Sequence, residues 1–158
     1  MGAAGVFVAA VVAVALAGIG LATSSKGAVN TVVVPWSPPP PTADQVAAAR
    51  AKACELWGRT ASVMDGATNA VAHTPGDWNT PAVQDALANE ARVTLVEREY
   101  LYRELPANTP VAIRSGINDY MAASVDMENA TAHRKGTARD AAIDRANAAE
   151  GKVNAACR

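Results

Sequence analysis

The sequence predicts an all-α protein in three parts: an N-terminal single transmembrane helix, a proline-rich spacer and an antiparallel four-helix bundle. Three observations predict it. The run from Gly2 to Ala22 holds no charged or strongly polar side chain, and the first ionisable side chain is Lys26. Four consecutive prolines, Pro38–Pro41, come next. Beyond them, apolar residues recur three and four apart in stretches bounded by capping residues and prolines, with no strand-like alternation.

The anchor is read from length. As a helix, residues 2–22 would be roughly 31 Å long, close to a bilayer's hydrocarbon core of about 30 Å. The competing reading is a cleaved signal peptide, which requires a basic n-region and a shorter apolar run. No Lys or Arg precedes the run, and small-residue sites such as Ala13-Val14-Ala15 fall inside it. No cysteine precedes Cys54, which excludes a lipoprotein signal. Lys26 alone reads the wrong way under the positive-inside rule, but the short N-terminal arm and the cysteines favour N-in, C-out. Gly5, Ala9, Ala13 and Ala17 form a small-residue row that would admit a second membrane helix, in a homo-oligomer for example; an alanine-rich span also contains such rows by chance.

Residues 23–41 read as the spacer. The hexamer Val29–Val34 is β-prone but has no partner strand, so an extended segment is expected. Pro35-Trp36-Ser37 and the four prolines impose a semi-rigid polyproline II stand-off, which lifts the C-terminal domain about 20 Å from the lipid. A ligand for a proline-binding groove is the weaker functional reading.

The domain spans 42–158. Thr42-Ala43-Asp44-Gln45 is a capping box. Val46, Ala49, Ala53, Leu56, Thr60, Val63, Ala67 and Ala70 then form a stripe, widened by Trp57, Met64 and Val71, along a helix of about 42–72. Gly58 and Gly66 interrupt it and suggest a bend. Thr80-Pro81 opens the second helix as cap and first-turn proline, with a face of Val83, Leu87, Ala91, Thr94, Leu101 and Leu105. Thr109-Pro110 repeats the signal, followed by Ile113, Ile117, Tyr120, Ser124, Met127 and Thr131. His133, Arg134 and Lys135 suit the end of that helix, Gly136 is expected to close it, and Thr137–Asp140 opens a fourth helix reaching Cys157.

In an up-down-up-down bundle the first and fourth helices are antiparallel neighbours. Counted from the end they share, Cys54 lies about 27 Å down the first and Cys157 about 30 Å down the fourth. Levels that agree within a turn predict a Cys54–Cys157 disulfide and an oxidising, extracytoplasmic compartment. Two separate small buried residues are the bland alternative.

Chemistry is sparse. Net charge is -1 and aromatic residues make up 4% of the chain, so neither a basic nucleic-acid face nor a stacking platform is expected. His73 and His133 lack a second ligand at metal spacing, and His73 with Asp77 reads as a solvated loop. Glu97, Arg98, Glu99, Arg103 and Glu104 read as a charged helix face with a Glu99–Arg103 pair. Asn129-Ala130-Thr131 matches a glycosylation sequon in mid-helix. No phosphate-binding loop, dinucleotide fingerprint or nucleophile elbow occurs. No cofactor, metal site or catalysis is expected.

The block from Thr31 through the prolines to Ala53-Cys54 resembles a group of mycobacterial alanine- and proline-rich, membrane-anchored proteins of unknown function. The resemblance implies an actinobacterial envelope protein, with an association with type VII secretion loci or mobile elements. Tyr100-Leu-Tyr-Arg-Glu104 fits the Y-x-x-x-[DE] export pattern of that system, but Trp57-Gly58 lies mid-helix and lacks the spacing of its W-x-G turn. The expected function is therefore a membrane-anchored envelope module that binds or scaffolds another envelope protein. The alternatives are a mobile-element accessory protein at the envelope, or a small-ligand carrier. The bilayer itself is the other expected partner.

Overall fold

The computed structural model of the chain describes residues 37–158. The predicted anchor, its row Gly5, Ala9, Ala13 and Ala17, and the spacer up to Trp36 lie outside the described residues. Ser37–Pro41 are exposed and have no regular secondary structure, since four successive positions without a backbone donor cannot supply helix or sheet hydrogen bonds.

Four helices follow: α1 (Ala43–His73), α2 (Pro81–Glu104), α3 (Val111–Ala132) and α4 (Gly136–Cys157). Among the described residues there is no strand, and no helix is long and apolar enough to cross a membrane. The helices enclose one core, to which α1 gives Leu56, Trp57 and Met64, α2 and its C-cap give Leu101 and Leu105, α3 gives Ile113, Ile117 and Met121, and α4 gives Ala146, Ala149 and Val153. Contacts between neighbours run in opposite senses. Cys54 meets Cys157 while Trp57 Nε1 donates to Asn154 Oδ1 at 2.8 Å, so α1 and α4 are antiparallel. Arg145 pairs with Asp126 and Lys152 with Asp119, which sets α3 against α4 in the same way.

The caps explain where each helix starts. Thr42 and Gln45 form the full capping box: the Thr42 hydroxyl accepts the Gln45 N–H at 3.3 Å and Gln45 Oε1 accepts the Thr42 N–H at 2.9 Å. α1 then runs unbroken through Gly58 and Gly66. Thr80 precedes Pro81 as expected, but its hydroxyl caps nothing; it accepts the Asp77 N–H at 3.1 Å and closes the preceding turn. That turn is set by Gly76, whose φ of 129° is closed to most side chains.

The third helix begins one residue later than the Thr-Pro signal suggests. Pro110 is itself the cap, because the Thr109 hydroxyl is turned back to donate to the Pro106 carbonyl at 2.7 Å. It also ends earlier, at Ala132. The left-handed residue that stops it is Arg134, with φ 54°, and not Gly136. The Lys135 N–H bonds Ala130 O at 2.8 Å and the Arg134 N–H bonds Thr131 O at 2.9 Å, satisfying the last carbonyls. Gly136 therefore opens α4, which has no side-chain cap.

Alanine content sets how closely α3 and α4 pack. Ala123, Ala130, Ala142, Ala146 and Ala149 are buried, and a Cβ placed on Gly116 would lie 2.6 Å from Val153 Cγ2. Small residues thus bring the backbones together where large ones would hold them apart. The disulfide joins α1 to α4, with Cα atoms 5.6 Å apart across a sequence separation of 103. A loop of that length contributes up to about 4–5 kcal/mol in the chain-entropy picture.

Candidate docking groove and buried polar cluster

Two features of the domain are not explained by core packing. The first is a groove on the outer side of the α1–α2 pair. Its open volume is about 630 Å³, and its floor and walls are Arg59 and Val63 from α1 with Leu95, Val96, Glu97, Glu99, Tyr100 and Arg103 from α2. The apolar centre is exposed: Leu95 is 61%, Val96 59% and Val63 43% accessible, side by side across α1 and α2. An apolar centre within a charged rim is the make-up of a protein-binding surface.

Helix geometry accounts for this exposure. The α1 core face follows Ala53, Leu56, Trp57, Thr60, Ala61, Met64 and Ala67, so Val63 and Ala70 turn outwards instead of continuing the expected stripe. On α2 the buried positions are Val83, Glu90, Thr94 and Leu101, which leaves Leu95 and Val96 on the far side of the helix. Leu87 and Ala91 are only half-buried.

One wall of the groove is fixed by Tyr100. The Arg59 guanidinium lies over its ring, 4.8 Å from the centroid, and donates a hydrogen bond to its hydroxyl. Thr60 adds a second α1–α2 link by donating to Glu97 Oε2 at 3.1 Å. Arg103 does not pair with Glu99 as expected; its Nε turns to Glu104 at 3.2 Å. Both ends of the Tyr100–Glu104 motif are therefore engaged within the domain, and Trp57 is core, edge-on to Tyr120 at 4.9 Å.

The second feature is a cluster of buried charge where the N-terminal parts of α2 and α4 meet the C-terminal part of α3. Glu90, wholly inaccessible, receives two hydrogen bonds from Arg139 Nη2, at 3.0 and 2.8 Å. Arg139 Nη1 donates to the Thr131 hydroxyl at 2.6 Å, and that hydroxyl donates to Met127 O at 2.8 Å. The pair is thus held within a hydrogen-bonded network, the condition for burying charge.

Glu128 stands beside the pair. Burial first, and then the Glu90 charge, push its carboxyl up to about 7, against the opposing pull of Arg139 and the Thr94 hydroxyl. Its Oε1 is buried and has no hydrogen-bond partner among the described residues. Asp65, raised by burial and then by Glu150, borders a cavity of about 30 Å³ with Thr94, Tyr120, Ser124 and Asn147. That volume has room for a water, not for a ligand.

Most of the other sequence candidates stand apart. His73 Nδ1 lies 2.7 Å from the Asn69 carbonyl, and Asp77 Oδ1 accepts the Asn79 N–H at 2.8 Å, so the two are used locally. His133 caps α3. Asn129 is exposed within that helix and Thr131 is committed to Arg139. Cys54 and Cys157 do meet, as a disulfide. Among the described residues no three His, Cys, Asp or Glu side chains are arranged to hold a metal. No family model matches the chain, and no curated protein and no solved structure matches it either.

Proposed function

We propose that this chain is a membrane-anchored protein of an actinobacterial cell envelope. Its helical domain stands on the proline spacer outside the membrane and docks another envelope protein, with no catalytic step of its own. The observation that carries docking is the groove, where Leu95, Val96 and Val63 remain exposed although the core has ample apolar partners. Their total burial would contribute several kcal/mol to association, at about 1.5–3 kcal/mol for each fully buried aliphatic side chain. The compartment is supported by the disulfide, since such bonds persist in oxidising surroundings. Anchorage rests on the uncharged run of residues 2–22.

The test is site-specific photo-cross-linking in intact cells. A photoreactive side chain at Val96 should yield a discrete cross-linked protein, whereas one at Val111, 82% accessible but outside the groove, should not. Equal labelling from both positions, or none from Val96, would refute docking at this groove.

A further inference from the structure

The groove reading leaves the partner open, and the charges along α2 narrow it. Asp85, Arg92, Leu95, Val96, Glu99 and Arg103 are all exposed. At 100° per residue they fall within an arc of about 100° on the side of α2 away from the core. Along that face the charges read negative, positive, negative, positive, with Leu95 and Val96 at the centre.

Such an order changes sign when it is reversed. Laid antiparallel on an identical helix, with a twofold axis beside Leu95, Arg92 lies opposite the partner's Glu99, and Arg103 lies opposite the partner's Ala88, about one turn from its Asp85. Laid parallel, every charge would meet its own kind. Asp85, Arg92 and Glu99 form no ion pair among the described residues, and Arg103 has only the exposed contact to its neighbour Glu104. The apolar centre is self-complementary too, since Leu95 and Val96 meet Val96 and Leu95, with Val63 of α1 covering the flank.

Resting on the groove as a docking surface, we infer that its partner is a second copy of this chain, joined by an antiparallel, twofold α2–α2 contact. Isologous pairing is the commonest closed assembly, and it requires this kind of self-complementary patch. Each charge pair counts twice in such an interface. Charge reversal at one position therefore replaces two attractions by two repulsions, and the effect weakens with added salt.

The experiment uses the full chain in its membrane. Leu95→Cys should cross-link to itself on mild oxidation, giving a product of twice the chain mass, because the axis passes beside it. Ala88→Cys, which faces Arg103 of the other copy, should not. In the Leu95→Cys background, Arg92→Glu or Glu99→Arg alone should lower the yield roughly tenfold. Coexpressing the two variants should restore it, since the mixed pair again matches opposite charges. Self-cross-linking from Ala88→Cys at the same yield, or insensitivity to charge reversal, would overturn the antiparallel pairing. If Leu95→Cys gave no doubled product while the Val96 photo-cross-link captured a chain of another mass, self-pairing would fail and the groove would stand. If neither linked to anything, both would fail.

Discussion

The two ends of the helical domain are built on opposite principles. At one end Leu56, Trp57, Leu101, Leu105, Ile113, Ile117 and Val153 pack as an apolar core beside the Cys54–Cys157 bridge. At the other, Glu90, Arg139, Thr131 and Glu128 are held in a network of hydrogen bonds and charge. Apolar contacts are non-directional and absorb small changes, and a covalent staple limits how far the chain can open. A buried ion pair has a narrow optimum: intact it is close to neutral against an apolar replacement, broken it leaves a charge that nothing solvates. The stapled end should therefore lose stability in proportion to what is removed, while the polar end should fail abruptly and respond to pH.

Substitutions can set the two ends against each other, and the largest effects are the most diagnostic. Replacing both cysteines by alanine should lower stability by up to about 4–5 kcal/mol while leaving helicity intact by circular dichroism. Cys54→Ala alone should lower the melting temperature and expose Cys157 to thiol reagents. At the polar end Arg139→Met should cost about 3–5 kcal/mol by stranding Glu90, whereas Glu90→Leu with Arg139→Met should recover most of that loss. If the double variant were as unstable as the single, the network would matter for more than pairing its charges.

A pH series separates the ends further. Glu128 is raised in the folded state to about 7 from an ordinary 4.5, so the fold holds its proton more tightly than the unfolded chain does. That contribution is fully present below about pH 4.5 and is lost as pH rises through about 7. Partial exposure of Glu128 screens the effect, which makes the loss between about pH 4.5 and 7 on the order of 1–2 kcal/mol. Glu128→Gln should flatten this slope in chemical denaturation. Asp65, also raised, leaves a residual slope of the same sign.

The smallest expected effects concern glycine. Gly116→Ala drives a methyl to 2.6 Å from Val153 Cγ2, on a short, stiff and fully buried side chain, and should destabilise by about 1–2 kcal/mol. Gly66→Ala meets nothing within 4 Å in a helix interior, and should stabilise by about 0.5–1 kcal/mol through helix propensity alone. A common sign for the two in thermal melts would mean that the close approach of α3 and α4 is not held by Gly116.

Legibility in the sequence divides along the same line. The four helices are legible because period and punctuation agree, and the Cys54–Cys157 level match comes from helix rise alone. The α3 stripe, Ile113 through Met127, is buried as its spacing implies. The polar cluster is not legible. Glu90 and Arg139 look like surface charges on alanine-rich helices, and only the tertiary fold brings them together across α2 and α4. One signal does exist: Glu90 lies four residues before Thr94 and eleven before Leu101, on the helix face that is buried. The groove escapes a sequence reading for the converse reason. Val63 fits a three-four repeat, yet the wider set of Trp57, Ala61 and Met64 rotates the buried face of α1 and leaves Val63 outside. The end of α3 misleads because Gly136 looks like the usual stop, while Arg134 takes the left-handed position and bonds Asn79 Oδ1 at 2.6 Å.

Stability lies in the core and at the two ends, whereas the proposed docking lies on the outer α1–α2 surface, which makes the two properties separable. Leu95→Asp in the full chain tests that separation most directly. Leu95 is 61% accessible, so at a dilution that leaves the chains unpaired the melting temperature should stay within about 2 °C of the parent, as for surface substitutions generally. The cross-link from Val96 in intact cells should disappear. A melting temperature that falls together with the cross-link would make Leu95 part of the fold, and an undiminished cross-link at unchanged stability would contradict docking through the groove.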